Sequence, residues 1–444
     1  MTDKPLWPHQ QVSLDLYSNE PRVFDMSDAG TGKTRAAIEA YQQHANKRAL
    51  IIAPKTLLDS AWGMDIEEFA PELSYRIAYA KNRVAAFSKP ADIYITNTDA
   101  AKWLAKQNKQ FFDSFDTLII DESSYFKHYK SQRSKAMGKI AKHFDRRALL
   151  TATPTSRSIT DIWHQALILD DGARLGRSFY QFRNEVCTPV LRGGFTDWQD
   201  KPEASGAVAD ILHDISLRHK FHEVMPDVPG NTEHYVYYTP EPKLLAAYNK
   251  LRDESLIMLE EGEVDAANAA VLRGKLLQVA SGSVYGTHGK RLKVDNQRIE
   301  LVADLVYERA HSIVFYNWDH QREQLIVELN KRKIQWVEIT RNTKDKDRGK
   351  IVREFQAGFY QTLLMHPQTG AHGLTLTRGT ATIWCSPTDR ADLLVQGKHR
   401  VLRGGQTKET ENIMVCAKQT LDKSVYDRTA TKRNAMDELM ELLR

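Results

Sequence analysis

The sequence predicts an α/β protein of two units in tandem, each built on a buried parallel sheet with helical insertions, and three observations predict it. First, continuous apolar runs of strand length recur with helical spacing between them. They are Ala49–Pro54, Ile93–Thr96, Thr117–Ile120 and Ala148–Pro154 in the first half, and Ser312–Tyr316, Trp336–Ile339, Thr362–Met365 and Thr382–Cys385 in the second. A strand covered by helices on both faces needs apolar side chains on both, so the alternation of a half-exposed strand disappears. Second, a glycine-rich turn at Asp28–Thr34 precedes the first set of runs and has no counterpart before the second. Third, Met225-Pro226-Asp227-Val228-Pro229-Gly230 is the sharpest punctuation in the chain. The expected units are therefore residues 1–229, with a helical and hairpin insertion at about 155–225, and residues 230–444, with a helical insertion at about 241–280.

A chain of 444 residues, 41% hydrophobic and 27% charged, can bury two cores of ordinary size. No apolar run reaches the length of a membrane span, and Met1-Thr2-Asp3-Lys4-Pro5 lacks signal-peptide character, so the expected location is a cytoplasm. Cys187, Cys385 and Cys416 have no metal-ligand spacing and are expected to be small buried side chains rather than disulfides. A net charge of +5 permits a polyanionic partner without demanding one.

Taken in order, Pro5–Gln11 opens a helix that runs through Leu14 and Leu16. The Gln10 carboxamide, with a donor and an acceptor side by side, can read an adenine edge or can simply face solvent. Asp28-Ala29-Gly30-Thr31-Gly32-Lys33-Thr34 reads as a triphosphate cradle: glycines admit the phosphates, backbone N–H groups ligate them, Lys33 neutralises charge and Thr34 holds Mg²⁺. Ser27 stands where the strict pattern has glycine. The third apolar run ends in Asp121-Glu122, at the strand end where such sheets bind ligands. Asp121 is expected to hold Mg²⁺ through water, and Glu122 to orient and deprotonate the attacking water. Ala148–Pro154 reads as a further strand ending in the hydroxyls of Thr151 and Thr153, within expected reach of that carboxylate pair, although a strand followed by an ordinary turn would look the same. Val190–Trp198 reads as a hairpin around Gly193-Gly194, either a wedge against a base pair or, more ordinarily, a packing loop. Leu244–Leu277 reads as a long helical stretch with a solvated acidic face. Arg400 and Arg403, three apart near the end of the second unit, suit a charge-stabilising arginine finger or a basic turn on a phosphate backbone.

In this order the segments resemble the motifs of superfamily 2 helicases, and specifically the Snf2-type branch, over roughly Pro5–Leu443. Pro8-His9-Gln10 is similar to the Q motif, Asp28–Thr34 to motif I, Ala53–Leu58 with Trp62 to motif Ia, and Thr96-Asn97-Thr98 to motif Ib. Asp121-Glu122-Ser123-Ser124, followed by Lys127 and Ser131, resembles motif II, and Leu150–Pro154 with Asp161 and Trp163 resembles motif III. Leu217-Arg218-His219-Lys220 resembles the segment leading to the second lobe. Phe315–Trp318, Gly370–Leu376 and Gln396–Gln406 resemble motifs IV, V and VI. Ser124, Ala152, Arg157 and Thr375 depart from the usual histidine, glycine, asparagine and asparagine.

The resemblance implies two RecA-like lobes, ATP and Mg²⁺ as cofactors, and DNA as partner, held mainly through its phosphates by Lys55, Thr56, Asn97, Thr98, His372 and Thr375. It also implies that Thr151, Thr153 and Gln396 couple hydrolysis to movement, and that Arg400 and Arg403 complete the ATP site. The compact form looks most like the bacteriophage members associated with branch migration and fork remodelling, which implies a host-cell cytoplasm for a phage-encoded chain. A duplex translocase that displaces bound proteins, an ATP-gated clamp and an RNA helicase are the alternatives.

Overall fold

The computed structural model describes residues 5–44, 46–155, 158–192, 195–260, 266–285, 291–293, 295–370, 374–388 and 390–429. The chain divides into two units between Pro226 and Asp227.

The first unit holds a seven-stranded sheet. Its members are β1 (Arg22–Asp25), β2 (Arg48–Ala53), β3 (Tyr75–Ala78), β4 (Ile93–Asn97), β5 (Phe115–Asp121), β6 (Arg146–Leu150) and, after a separate hairpin of β7 (Cys187–Arg192) and β8 (Phe195–Asp200), β9 (Ser216–Leu217). The spatial order is β3-β4-β2-β5-β6-β1-β9, and every neighbouring pair is parallel. β5 is buried along all but its last residue and β2 along all but its first, which is why both read as unbroken apolar runs. Helices α1 (Pro8–Asn19) and α2 (Lys33–His44) cover one face, packing Leu14, Tyr17, Ala36, Ile38 and Tyr41 on Val23, Ile51, Ile95 and Ile119. Each aliphatic side chain so enclosed stabilises the unit by roughly 1.5–3 kcal/mol.

Because β5, β6 and β1 are adjacent, Asp121, Leu150 and Asp25 stand in one row at the carboxyl edge. The glycine-rich turn, the Asp121-Glu122 pair and Thr151–Thr153 therefore leave the sheet side by side.

The second unit repeats the architecture with β10 (Asn231–Tyr238), β13 (Ser312–Phe315), β14 (Trp336–Ile339), β15 (Thr362–Met365), β16 (Ala381–Trp384) and β17 (Thr410–Ala417). The six strands are parallel in the order β10-β17-β16-β13-β15-β14, and β11 (Ser283–Tyr285) with β12 (Arg291–Lys293) forms a small antiparallel ribbon apart from them. The stretch expected as one long helical segment is two helices, Pro242–Glu260 and Ala266–Ala280, with 261–265 outside the described residues.

Two features set the core of this unit. Trp384, fully buried, stacks on Phe315 at 4.6 Å and donates its indole N–H to Asn412 Oδ1 at 2.8 Å. Gly397 lies flat against both rings: a Cβ there would come within 2.7 Å of Trp384 and 3.0 Å of Phe315, so only glycine lets the helix Ala391–Lys398 approach this closely. That approach positions Gln396, Arg400 and Arg403. Arg298, also fully buried, is enclosed by the Tyr238 hydroxyl (3.1 Å), the carbonyls of Cys385 (2.8 Å), Val415 (3.3 Å) and Ala280 (2.9 Å), and the Asp422 carboxylate. All three cysteines are free and buried.

Candidate active site

β1 delivers the chain into the glycine-rich turn through Asp25, a fully buried carboxylate. Its Oδ1 accepts the Ser27 N–H at 2.9 Å and its Oδ2 accepts the Tyr17 hydroxyl at 3.0 Å. Ser27 is not among the residues with positive φ, so the turn does not need glycine at that position. Its hydroxyl instead accepts the His219 N–H at 3.0 Å. Asp28 N–H donates to the His219 carbonyl at 3.0 Å, and Asp28 Oδ2 accepts the Phe221 N–H at 3.0 Å. The turn is thus sewn to the chain that follows β9, about 190 residues later, through a serine that a strict motif would reject.

Gly30 and Gly32 have φ of +88° and +80°, which only glycine adopts without strain. A Cβ on Gly32 would also lie 2.1 Å from Gln10 Nε2. Thr31 Oγ1 donates to the Asp28 carbonyl at 2.9 Å, and the Thr31 carbonyl accepts from His9 Nε2 at 2.8 Å. Lys33 Nζ sits 2.5 Å from the Ser27 carbonyl and 3.0 Å from the Asp28 carbonyl. Thr34 is the second residue of α2, at the end of the helix whose dipole favours anions. Gln10, expected to read adenine, is buried against this turn: Oε1 accepts the Trp7 N–H at 3.0 Å and Nε2 donates to the Gly32 carbonyl at 3.4 Å. A base reading this carboxamide would have to exchange with those partners.

At the end of β5, Asp121 Oδ2 accepts the Trp62 indole N–H at 2.9 Å and Oδ1 accepts the Glu122 N–H at 2.9 Å. Desolvation raises the Asp121 pKa above the usual carboxylate value, opposed by the Trp62 hydrogen bond and by the charge of Lys33. Glu122 has φ 53° and ψ 54°, a left-handed conformation that costs a non-glycine residue free energy and often marks a working site.

The Thr151 and Thr153 hydroxyls do not bond to these carboxylates. Thr151 Oγ1 accepts the Thr153 N–H at 3.1 Å, and the buried Thr153 Oγ1 has no hydrogen-bond partner among the described residues. The connection from the Asp121-Glu122 segment to the Thr151–Pro154 segment runs through a residue the sequence did not single out. Ser123 Oγ donates to Gln165 Oε1 at 2.7 Å, and Gln165 Nε2 donates to the Pro154 carbonyl at 2.8 Å, with Gln165 fully buried. Trp62 as a carboxylate ligand, His219 as the partner of Ser27 and Gln165 as the bridge were missed because those partners lie 59, 192 and 42 positions away, and Asp25 was missed although Ser27 and Tyr17 are near it in sequence.

Among the expected DNA contacts, Lys55 is exposed and Thr56 half-buried on the single turn Lys55–Leu57 after β2. Asn97 ends β4 and accepts from Arg83 at 3.1 Å, whereas Thr98 is buried and offers little surface. His372 lies outside the described residues, as do Arg157 and the Gly193-Gly194 pair. In the second unit Arg400 is buried, donating from Nε to the Gln396 carbonyl at 2.8 Å and from Nη1 to the Leu374 carbonyl at 3.0 Å. Arg403 is partly exposed and donates to the hydroxyl of exposed Thr375 at 2.7 Å. Gln396 is buried, its Oε1 without a partner among the described residues. Gln406 staples the segment, its Nε2 reaching the carbonyls of Thr377, Gly379 and Val401 at 3.0–3.1 Å.

The hairpin is present, with Leu191 paired to Thr196 and Pro189 to Trp198. Asp200 at its base accepts the Ser158 hydroxyl at 2.6 Å and the Ile159 N–H at 2.8 Å, Trp198 is half-buried with the Arg183 guanidinium 3.6 Å from its ring, and Leu191 stands 80% exposed. No helix among the described residues is long and apolar enough to cross a membrane.

The SNF2-related domain family matches residues 25–280, and the helicase conserved C-terminal domain family matches residues 297–405. Protein p41 of Acyrthosiphon pisum secondary endosymbiont phage 1 is 26% identical over 98% of this chain and 98% of its own. The SWI/SNF-related matrix-associated actin-dependent regulator of chromatin subfamily A-like protein 1 of Xenopus laevis is 22% identical over 94% of this chain, which spans only 42% of that relative. Among solved structures, the Sulfolobus solfataricus SWI2/SNF2 ATPase core in complex with dsDNA aligns with 99% of this chain and 93% of its own at 19% identity and a TM-score of 0.47. The chain belongs to the SNF2-related family: its two parallel-sheet units are RecA-like lobes, and it is a DNA-dependent ATPase of the helicase class.

Proposed function

We propose that this chain is an ATP-driven motor that remodels branched DNA, moving forks and four-way junctions. The observation that carries the branched substrate is the hairpin β7–β8, a two-stranded ribbon separate from the main sheet and clamped through Asp200 to Ser158 and Ile159, just past the Thr151–Pro154 segment beside the nucleotide site. A ribbon so placed can divide strands while its foot follows the ATP cycle.

In this reading the N–H groups of Asp28–Gly32 and the Lys33 ammonium hold the phosphates. The exchange is open to Lys33 because its present partners are two neutral carbonyls. Thr34 and Asp121 would hold Mg²⁺, a hydroxyl and a carboxylate being hard oxygen donors of the kind it takes, and the nucleotide and water would supply the remaining oxygens. When bound there, Mg²⁺ would supply charge neutralisation to the phosphates. Glu122 orients the attacking water and accepts its proton, with its backbone fixed by the Asp121 contact. Arg403, partly exposed, supplies the guanidinium for developing γ-phosphate charge. Arg400, enclosed by its own lobe, holds the Leu374 carbonyl in place beside it. Lys55, Thr56, Asn97 and Thr375 contact DNA phosphates without reading sequence. Similarity to a phage protein supports action in the cytoplasm of an infected cell.

The test is ATP hydrolysis by wild type and Glu122→Gln, alone and with single-stranded DNA, duplex or a four-way junction, with strand products followed on the junction. Junction-stimulated turnover that moves the branch, lost by about a hundredfold or more in Glu122→Gln, is expected. Duplex-stimulated turnover with the junction unmoved would replace this reading with a translocase that clears proteins.

A further inference from the structure

Between Ser123 and Phe144 the chain carries six lysines and arginines and no aspartate or glutamate. Tyr129 lies in this run, and its ring stacks on Phe179 at 4.2 Å between centroids and 25° between planes. Beneath them Trp163 forms a floor, edge-on to Tyr129 at 5.7 Å and to Phe179 at 5.6 Å, with its indole N–H donating to the Gly176 carbonyl at 3.2 Å. Above them Tyr180 meets Phe179 at 5.8 Å and is 53% exposed. The aromatic column therefore rises from the core to solvent instead of ending under cover. Cations border it: Lys130 Nζ lies 5.7 Å from the Tyr129 ring centre, and the Arg183 guanidinium lies 5.3 Å from Tyr180 and 3.6 Å from Trp198 on β8.

We infer that Tyr129, Phe179, Tyr180 and Trp198, with Lys130 and Arg183, form a platform for a single DNA strand emerging at the foot of the hairpin. Ring faces at a surface suit unpaired bases, each of which has a π-face to stack, whereas a duplex presents only base edges and phosphates. Within the run Lys127 and Arg133 pair with Asp161 (3.4 Å) and Asp99 (3.3 Å), so the charge offered to the strand's phosphates is that of the cations at the rings, Lys130 and Arg183. A purely structural cluster would need neither the exposed Tyr180 nor cations on its open side. The inference rests on the branched-DNA reading, because a branch is what supplies an unpaired strand at this position.

Binding of a fluorescein-labelled oligothymidine, and of a blunt duplex of the same length, is measured by anisotropy on the full nucleotide-free chain. Tyr180→Ala is expected to weaken oligothymidine binding about tenfold, the scale of one base–aromatic stack, and to leave duplex binding within about twofold. Tyr180→Trp restores the oligothymidine affinity, which a loss of folding or of general charge would not do. Equal weakening toward both DNAs, or unchanged oligothymidine affinity, overturns the platform. So does a wild-type dimer in sedimentation that Tyr180→Ala dissolves without changing oligothymidine binding, which would assign the face to a second copy of the chain. If Tyr180→Ala behaves as expected while wild type leaves four-way junctions unmoved, the platform stands and the branched-DNA reading falls. If junctions move but oligothymidine binding ignores Tyr180, only the platform falls.

Discussion

Lys33 and Arg298 are both cations at the carboxyl ends of parallel strands, one in each unit, and their surroundings differ in kind. Lys33 is half-buried and rests on two neutral carbonyls of its own turn. Arg298 is fully buried, paired with Asp422 and hydrogen-bonded to three carbonyls and a tyrosine hydroxyl. A carbonyl partner can be surrendered to an incoming phosphate at little cost. A desolvated carboxylate partner cannot, because the charge left behind has nowhere to go. Burial alone therefore does not mark a site in this fold; the replaceability of the partner does.

The contrast breaks most directly through two substitutions. Lys33→Ala should lower ATP turnover by at least about a hundredfold and leave the urea midpoint almost unchanged. Arg298→Met should cost about 3–5 kcal/mol of stability by stranding Asp422, and Arg298→Met with Asp422→Leu should recover most of it. Similar unfolding losses from the Lys33 and Arg298 single variants would end the distinction.

A smaller effect is read by pH. His164 donates its Nδ1 proton to the Phe126 carbonyl at 2.7 Å, and burial lowers its pKa to about 4. The unfolded chain takes up a second ring proton, on Nε2, below about 6.5, so the stability that the lowered pKa reflects is fully present above that pH and is lost as pH falls toward 4. The loss should approach about 3 kcal/mol, read by urea unfolding of unit 1 fluorescence, and His164→Asn should flatten the profile. A wild-type profile level across this range would place the charge of His164 in contact with water.

The smallest effect concerns Gln165. Gln165→Leu removes the Ser123–Pro154 bridge and should cost about 1–2 kcal/mol while lowering branch movement per ATP more than ATP turnover. Ser123→Ala with Gln165→Leu should regain stability without regaining coupling. Loss of turnover and movement in equal proportion would reduce Gln165 to packing.

The first unit was legible where its strands are buried on both faces, because such strands must be apolar throughout. β1, four residues with a charge at either end, and β9, two residues long, gave no such signal, although between them they hold the glycine-rich turn. In the second unit β17 mixes Thr410, Glu411 and Asn412 with its apolar end and passes for a loop. The chemistry at the strand ends was legible because phosphate and metal chemistry demands particular residues at fixed local spacing. Its supports were not: Trp62 reaches Asp121 across 59 positions, and His219 reaches Ser27 across 192. Ser27 makes the point most sharply, looking like a defect in one dimension and acting as an anchor in three.

The clamp at Asp200 turns the hairpin into a cantilever. Six residues of extended chain reach about 20 Å from a fixed foot. A rotation of about 10° at that foot carries the free end about 3.5 Å, roughly the rise per nucleotide along the axis of duplex DNA. A rearrangement too slight to disturb the packed sheet would then be amplified, at the far end of the ribbon, into a stroke of one nucleotide.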